Sequence, residues 1–231
     1  VPCRRHRRSR HFLRERSGKD VEFLCLDENV DCLELARAKA STLSVPIEFR
    51  DATLNALELR DNTYDVVIGN ASLVPQQRVA KIFAEMVRVA APAAQVVLAL
   101  PSASSFGEFF SIYWEAMHNT GLIDHEADVE DPILELPTVS DLEQMAQDEG
   151  LNDVESWISI EEFDFESGEQ FLNSPLVSEF LMQNWLASVP DESKENLKQE
   201  LARLINEERH EGEFALSVKA TLVTGRKAHT H

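Results

Sequence analysis

The chain has 231 residues, of which 43% are apolar and 27% are charged, and its formal net charge is −19. This composition is typical of a soluble globular protein, no apolar run approaches the ~20 residues of a membrane span, and no signal-peptide pattern is present. The three cysteines, Cys3, Cys25 and Cys32, are too few and too scattered for a disulfide framework or a zinc site. We therefore expect a cytoplasmic protein without a structural metal, whose length suits one sizeable core.

The charge is unevenly distributed along the chain. Residues 1–19 carry eight arginine or lysine residues against the single acid Glu15, which gives +7, so the remainder carries −26. A body this acidic repels nucleic-acid phosphates and anionic membranes. We expect a small-molecule ligand instead, with neither nucleic acid nor a membrane as a general partner; the sequence does not indicate an oligomeric state.

The first half of the chain alternates apolar runs of strand length with helical periodicity. The run 64–71 is apolar and bounded by polar residues, as a buried parallel strand should be. Such alternation predicts an α/β protein, with a mostly parallel sheet and helices on both faces. The predicted elements are helices over 10–16, 30–42 and 75–90, and strands over 21–26, 47–52, 64–71 and 94–101.

The second half begins with an irregular, aromatic stretch over 102–136. A helix follows, with Ser140 as its predicted N-cap and Gly150 as its stop. A strand over 153–163, helices over about 168–188 and 191–209, and a cleanly alternating strand over 214–227 complete the pattern. We see no repeat or linker, so residues 1–231 are predicted to form a single domain, with 102–136 and 166–210 as insertions on the substrate side.

The polar residues at which the strands stop are the candidate ligand contacts, because open parallel sheets bind ligands at the carboxyl ends of their strands. The first strand stops at Asp27, the second at Asp51 and Ala52, and the third at Asn70. Asp27 could accept hydrogen bonds from a ribose diol, and Asp51 could accept one from an exocyclic amine while the adjacent backbone N–H reads a ring nitrogen. Each residue also has a purely structural interpretation, with Asp27 as a helix N-cap, Asp51 as a turn acid and Asn70 in an Asx-turn.

Three consecutive segments, FLCLDENVDCLELARAKA, IEFRDATLNALELRDNTYDVVIGNASL and KIFAEMVRVAAPAAQVVLALP, resemble class I S-adenosylmethionine-dependent methyltransferases over roughly residues 20–101. The resemblance implies a Rossmann-like, seven-stranded sheet whose last strand is antiparallel, and S-adenosyl-L-methionine as cofactor. By that resemblance Asp27 would hold the ribose, Asp51 and Ala52 would bracket the adenine, Glu28 or Asn29 would border it, and Asn70 would lie near the methionine end.

The sequence departs from the family at two places. The family has a glycine-rich loop about twenty residues before the ribose acid, where this chain has VPCRRHRRSR. We consider three interpretations and favour the first: an altered reading frame in the coding sequence, a degenerate fold that no longer binds cofactor, or a basic arm. The second departure is AAPAAQVV, where the family usually has Pro-Gly-Gly, although alanines can still make that turn.

The sequence gives weaker indications of which residues would contact the methyl acceptor. Tyr113 and Trp114 could contact an apolar acceptor, and His118 could act as a general base. The alternative, which we favour, is that Phe110, Trp114 and Met117 form the buried face of a helix.

We therefore expect methyl transfer from S-adenosyl-L-methionine to a small molecule. The alternative is a non-catalytic methyltransferase-like scaffold or regulatory protein, which the missing glycine loop supports. A nicotinamide-dependent oxidoreductase fits less well, because the chain shows no dehydrogenase pattern of catalytic side chains.

Overall fold

The computed structural model describes residues 21–41, 46–122, 136–208 and 214–229. It divides into two compact units, Val1–Glu58 and Leu59–His231. The helix predicted over 10–16 and the arginine-rich segment lie outside the described residues, and the single domain stays a prediction. No helix in the described parts of the chain is long and apolar enough to cross a membrane.

The described part of the first unit is a β-α-β motif. Strand β1 (Phe23–Asp27) pairs in parallel with β2 (Ile47–Asp51), and helix α1 (Val30–Ala40) connects them. The pairing runs in register from Phe23 opposite Ile47 to Asp27 opposite Asp51. These two strands and the helix confirm the elements predicted from the apolar runs.

The second unit contains the remaining strands and helices. Its strands β3 (Tyr64–Asn70) and β4 (Ala90–Pro101) are parallel. The last strand, β6 (Phe214–Lys227), lies between β4 and β5 (Leu151–Phe165) and is antiparallel to both. The order across this four-stranded sheet is β3-β4-β6-β5. In chain order the elements are β3 (Tyr64–Asn70), α2 (Gln76–Val89), β4 (Ala90–Pro101), α3 (Gly107–Asn119), α4 (Val139–Asp148), β5 (Leu151–Phe165), α5 (Gly168–Asn173), a π-helix (Leu176–Leu181), α6 (Met182–Trp185), α7 (Asp191–Glu208) and β6 (Phe214–Lys227).

The antiparallel last strand was predicted correctly, but the seven-stranded sheet was not. The described residues form six strands, in one sheet of two and one of four. The apolar runs of the sequence themselves indicate six strands, and only the family resemblance supplied a seventh. The α/β character is confirmed.

The main core of the second unit is aromatic and lies among α3, α5, α6, α7 and β6. Phe109 is fully buried and stacks on Trp185 with ring centroids 4.0 Å apart. Phe171 makes edge contacts with Phe165 and Phe214, at 5.1 and 5.2 Å. The core therefore joins the segments that follow β4 and β5 into one layer on the sheet.

The stretch 102–136, predicted to be irregular, contains the regular helix α3. Its buried face includes Phe110 and Met117, as the helical interpretation required, but Trp114 is 40% exposed and Tyr113 is buried in its place. The residues between Leu122 and Leu136 lie outside the described ranges.

Two helix boundaries also differ from the prediction. Thr138, not Ser140, caps α4: its hydroxyl accepts from the Asp141 N–H at 3.2 Å, and the Asp141 carboxylate accepts from the Thr138 N–H at 2.9 Å. The helix predicted over 168–188 is broken after α5. Ser174 is extended, with ψ 139°, because the ring of the following Pro175 disfavours helical backbone before it.

Candidate functional site

The carboxyl ends of β1 and β2 bring the two predicted cofactor acids side by side. Asp27 and Asp51 are register partners on neighbouring strands. One carboxylate oxygen of Asp27 accepts a hydrogen bond from the Asn29 N–H at 2.9 Å. The cap of α1 is Asn29 itself, whose side chain accepts from the Cys32 N–H at 3.0 Å. The structural interpretation of Asp27 as the N-cap is therefore wrong, because Asp27 orients the cap instead.

Much of the accepting capacity of this acid pair remains unused. Within the described residues, the second oxygen of Asp27 and both oxygens of Asp51 accept no hydrogen bond. An ionised carboxylate only accepts, so these oxygens suit ligand groups that donate, such as hydroxyls and amines. Within the same described ranges, no three histidine, cysteine or acidic side chains come together as a metal site would require.

The loop that follows β2 is tied back to the end of β1. The Ala52 N–H donates to the Asp27 carbonyl oxygen at 3.1 Å, and the Leu54 N–H donates to a carboxylate oxygen of Glu28 at 2.8 Å. These bonds fix the loop beside the acid pair. They also occupy the Ala52 N–H, the group expected to read a ring nitrogen, so the side available to a ligand at Ala52 is its methyl group.

Asn70 lies at the end of β3 in the second unit. Its side-chain oxygen accepts from the Ser72 N–H at 2.9 Å, and the Ala71 N–H donates to the Ala99 carbonyl oxygen of β4 at 2.8 Å. This is the Asx-turn geometry of the structural interpretation. The turn uses the side-chain oxygen of Asn70 and fixes the orientation of its amide group at the end of β3.

A groove of about 330 Å³ lies where β3 and β4 end, and we call it the strand-end groove. One side comes from the turn after β3 and the start of α2, and the other from the π-helix, α6 and the residues just after α6. Its apolar lining includes Leu73, Pro101, Phe106, Leu136, Phe180 and Trp185.

The acceptor candidates from the sequence do not line the strand-end groove. Tyr113 is 1% exposed and its hydroxyl donates to the Trp185 carbonyl oxygen at 2.9 Å. Trp114 is partly exposed on the outer face of α3, and His118 is exposed near the C-terminal end of that helix. Their direct roles stay predictions.

Sequence reasoning missed Trp185 and Phe180 as groove residues. The available signal was their position in the segment 166–210, which was expected on the substrate side. Nothing in the spacing shows which aromatic of that segment faces the strand ends, because that depends on the break at Pro175 and on packing against α3.

Residues 8–93 match the family model of the methyltransferase domain. No protein with a curated function matches the chain by sequence.

Solved structures extend the likeness to most of the chain. The YcgJ protein from Bacillus subtilis is 14% identical with a TM-score of 0.53, over 90% of this chain and 83% of that one. A candidate methyltransferase from Bacillus halodurans C-125 is 16% identical with a TM-score of 0.52, over 90% and 84%. An S-adenosylmethionine-dependent methyltransferase from Methanosarcina mazei is 12% identical with a TM-score of 0.50, over 94% and 97%.

At these identities the solved structures show a shared fold, and the family-model match covers residues 8–93, which is less than half of the 231 residues. Both agree with the resemblance seen in the strand-end residues. Over residues 8–93 the chain is therefore similar to the methyltransferase domain family, and over most of its length it shares the fold of these solved structures.

Proposed function

We propose that this protein transfers a methyl group from S-adenosyl-L-methionine to a small-molecule acceptor. The family supports methyl transfer in general terms. The observation that carries the proposal for this chain is the Asp27–Asp51 pair, two acids that are register partners at the ends of two parallel strands.

The acid pair fits the donors of the cofactor. Ribose has two adjacent hydroxyls, which suit the free oxygen of Asp27, and adenine has an exocyclic amine, which suits Asp51. Glu28 holds the loop that follows Asp51 through its hydrogen bond from the Leu54 N–H. Asn70 would contribute its amide group toward the methionine end, as the family resemblance implies.

The catalytic contribution of the chain is binding and alignment. When bound, the cofactor supplies an electrophilic methyl group and is released as S-adenosylhomocysteine. Holding an already nucleophilic acceptor in line with that methyl group supplies much of the rate enhancement without a general base. Among the described residues that line the strand-end groove, none is ionisable, so we expect an acceptor that needs no side-chain base.

Calorimetric titration with S-adenosylhomocysteine tests the proposal. We expect micromolar binding by the unaltered chain and at least about tenfold weaker binding by Asp27→Ala, because each hydrogen bond to a charged group contributes about 1.5–3 kcal/mol. Glu22→Ala is the matched control, since it removes the same charge immediately before β1, at the end opposite Asp27.

The outcomes distinguish a methyltransferase from a non-catalytic methyltransferase-like scaffold. Binding that Asp27→Ala loses and Glu22→Ala retains supports a cofactor site at the acid pair. Equal binding by all three proteins places the cofactor elsewhere. A folded chain that does not bind at all refutes the methyltransferase proposal and leaves the non-catalytic scaffold.

A further inference from the structure

We propose that the strand-end groove is the acceptor site and that it selects a neutral acceptor with an apolar, aromatic-sized body. The inference rests on the proposed function and deepens it by naming the chemical class of the acceptor. The groove adjoins the ends of β3 and β4, the edge at which parallel sheets bind their ligands.

The first argument is the absence of charge in the lining. The described residues that form the groove include no acid, lysine, arginine or histidine, although 27% of the chain is charged and its net charge is −19. The polar groups are hydroxyls and amides, from Ser72, Gln76, Gln77, Asn184 and Ser188. A charged acceptor would lose water here without meeting an opposite charge on the described lining residues, whereas a neutral one would not incur that cost.

The second argument is the aromatic wall. Phe106 and Trp185 meet edge to face with centroids 5.4 Å apart, and they are 6% and 5% exposed. Phe180 and Leu181 of the π-helix extend this wall. Rigid aromatic and aliphatic walls with a few amides and hydroxyls are the usual lining of small-molecule sites, and a volume of about 330 Å³ suits a compact ligand.

The third argument is the backbone at Phe106. This residue has φ 63° and ψ 18°, a left-handed conformation that is rare for a bulky side chain. Its N–H donates to the Ser217 carbonyl oxygen at 2.8 Å, and its own carbonyl accepts from the Phe110 N–H at 3.1 Å. Strained residues of this kind are concentrated at ligand sites, where the surrounding structure holds them in place.

The fourth argument is the π-helix itself. Turns of this type are rare and occur frequently at functional sites. Here the segment Leu176–Leu181 follows the break at Pro175 and supplies two lining residues of the groove. Two uncommon backbone features, from segments about 70 residues apart in sequence, thus line the same groove.

Three probes of one shape and different charge test the selectivity: 2-naphthol, 2-naphthoate and 2-naphthylmethylammonium. Binding is followed by NMR through the indole N–H signals of protein labelled with ¹⁵N-tryptophan. The chain has three tryptophans, so three such signals are expected. The Trp185 signal is assigned by elimination with Trp114→Phe and Trp157→Phe, which alter side chains 40% and 53% exposed. We expect 2-naphthol to shift the Trp185 signal and both charged probes to bind at least about fivefold more weakly.

A charge placed at the groove gives a directional control. Leu73→Asp alters a lining residue that is 45% exposed, and Leu35→Asp makes the same change on α1 at a residue 56% exposed. We expect Leu73→Asp to weaken 2-naphthol and strengthen the cationic probe, whereas Leu35→Asp leaves the order of the three probes unchanged.

The inference and the proposed function fail in different ways. If the protein binds S-adenosylhomocysteine but 2-naphthol leaves the Trp185 signal unmoved, or charged probes bind as well as the neutral one, the inference is overturned and the proposed function stands. If the neutral preference is seen without cofactor binding, methyl transfer is refuted and the groove is overturned as an acceptor site, although it still selects neutral ligands.

Discussion

The substitution Gly168→Ala is expected to destabilise the second unit strongly, because α5 and α7 approach each other at Gly168. A Cβ placed there would lie 2.5 Å from the Ala202 Cα and 2.8 Å from its carbonyl carbon. Carbon atoms pack best at about 3.5–4.0 Å, so α7 would have to move by about 1 Å. The Gly168 N–H also donates to the Asn206 side-chain oxygen at 2.9 Å, and that movement would stretch this bond.

The expected net loss is about 2 kcal/mol, from a strain near the upper end of its range less the glycine term. Overpacking against a well-packed element costs about 1–3 kcal/mol, and this contact is with backbone, which cannot rotate away. Removing glycine recovers about 0.4–1 kcal/mol through the unfolded state, which makes the net loss smaller than the strain. Urea unfolding followed by circular dichroism measures the difference.

Gly107→Ala is the matched control, because Gly107 is also the first residue of a helix but nothing lies within 4 Å of a Cβ there. We expect this variant to be more stable than the parent by about 0.4–1 kcal/mol. If Gly168→Ala is as stable as Gly107→Ala, the close approach of α5 to α7 is wrong.

Two further predictions concern the left-handed residue Ala93 within β4 and the link between α3 and α7. Ala93 has φ 63°, a backbone conformation that glycine adopts more easily than alanine, so Ala93→Gly should stabilise the chain by about 0.5–1 kcal/mol in urea unfolding. The control Ala91→Gly should destabilise it by a similar amount. A loss of stability at both positions would contradict the strain at Ala93. Hydrogen bonds from Arg203 and Asn119 lower the pKa of Glu200 from 4.5 to about 2, so this carboxylate stabilises the fold above pH 4.5 and the contribution is lost as the pH falls toward 2. Glu200→Gln should therefore unfold more easily at pH 7 and lose less stability between pH 5 and 3 than the parent, and parallel pH profiles would refute the link.

The strands and the acids at their ends were predictable because both follow from local chemistry. Apolar runs of strand length bounded by polar residues predict parallel strands, and β1 to β3 end within a residue of the prediction. The predicted burial of β3 was wrong, because this strand has no fully buried residue and its Val66 and Ile68 are more than half exposed. The pairing of Asp27 with Asp51 follows from two strands of equal length ending in an acid. The turn expected at AAPAAQVV lies inside β4, which begins at Ala90, and the left-handed backbone at Ala93 is visible only in the structure.

The acceptor side was less predictable because it depends on contacts between distant segments. Tyr113 and Trp114 are adjacent in sequence, and only the packing of α3 decides that the first is buried and the second is exposed. The left-handed conformation of Phe106 has no sequence signal, since glycine follows it and does not replace it. Its N–H bond to Ser217 joins positions more than a hundred residues apart.

The position of Tyr113 explains how a residue predicted to contact the acceptor can influence it from beneath. Its hydroxyl holds the Trp185 carbonyl, its ring stacks on Phe109 at 5.5 Å, and Phe109 in turn stacks on Trp185 at 4.0 Å. Trp185 is thus fixed from two directions on its buried side, while its remaining surface lines the strand-end groove. The walls of the groove are built on this aromatic core, whereas the acids predicted to bind the cofactor lie on β1 and β2. We therefore expect core substitutions at Tyr113 to change binding at the proposed acceptor site while cofactor binding is retained.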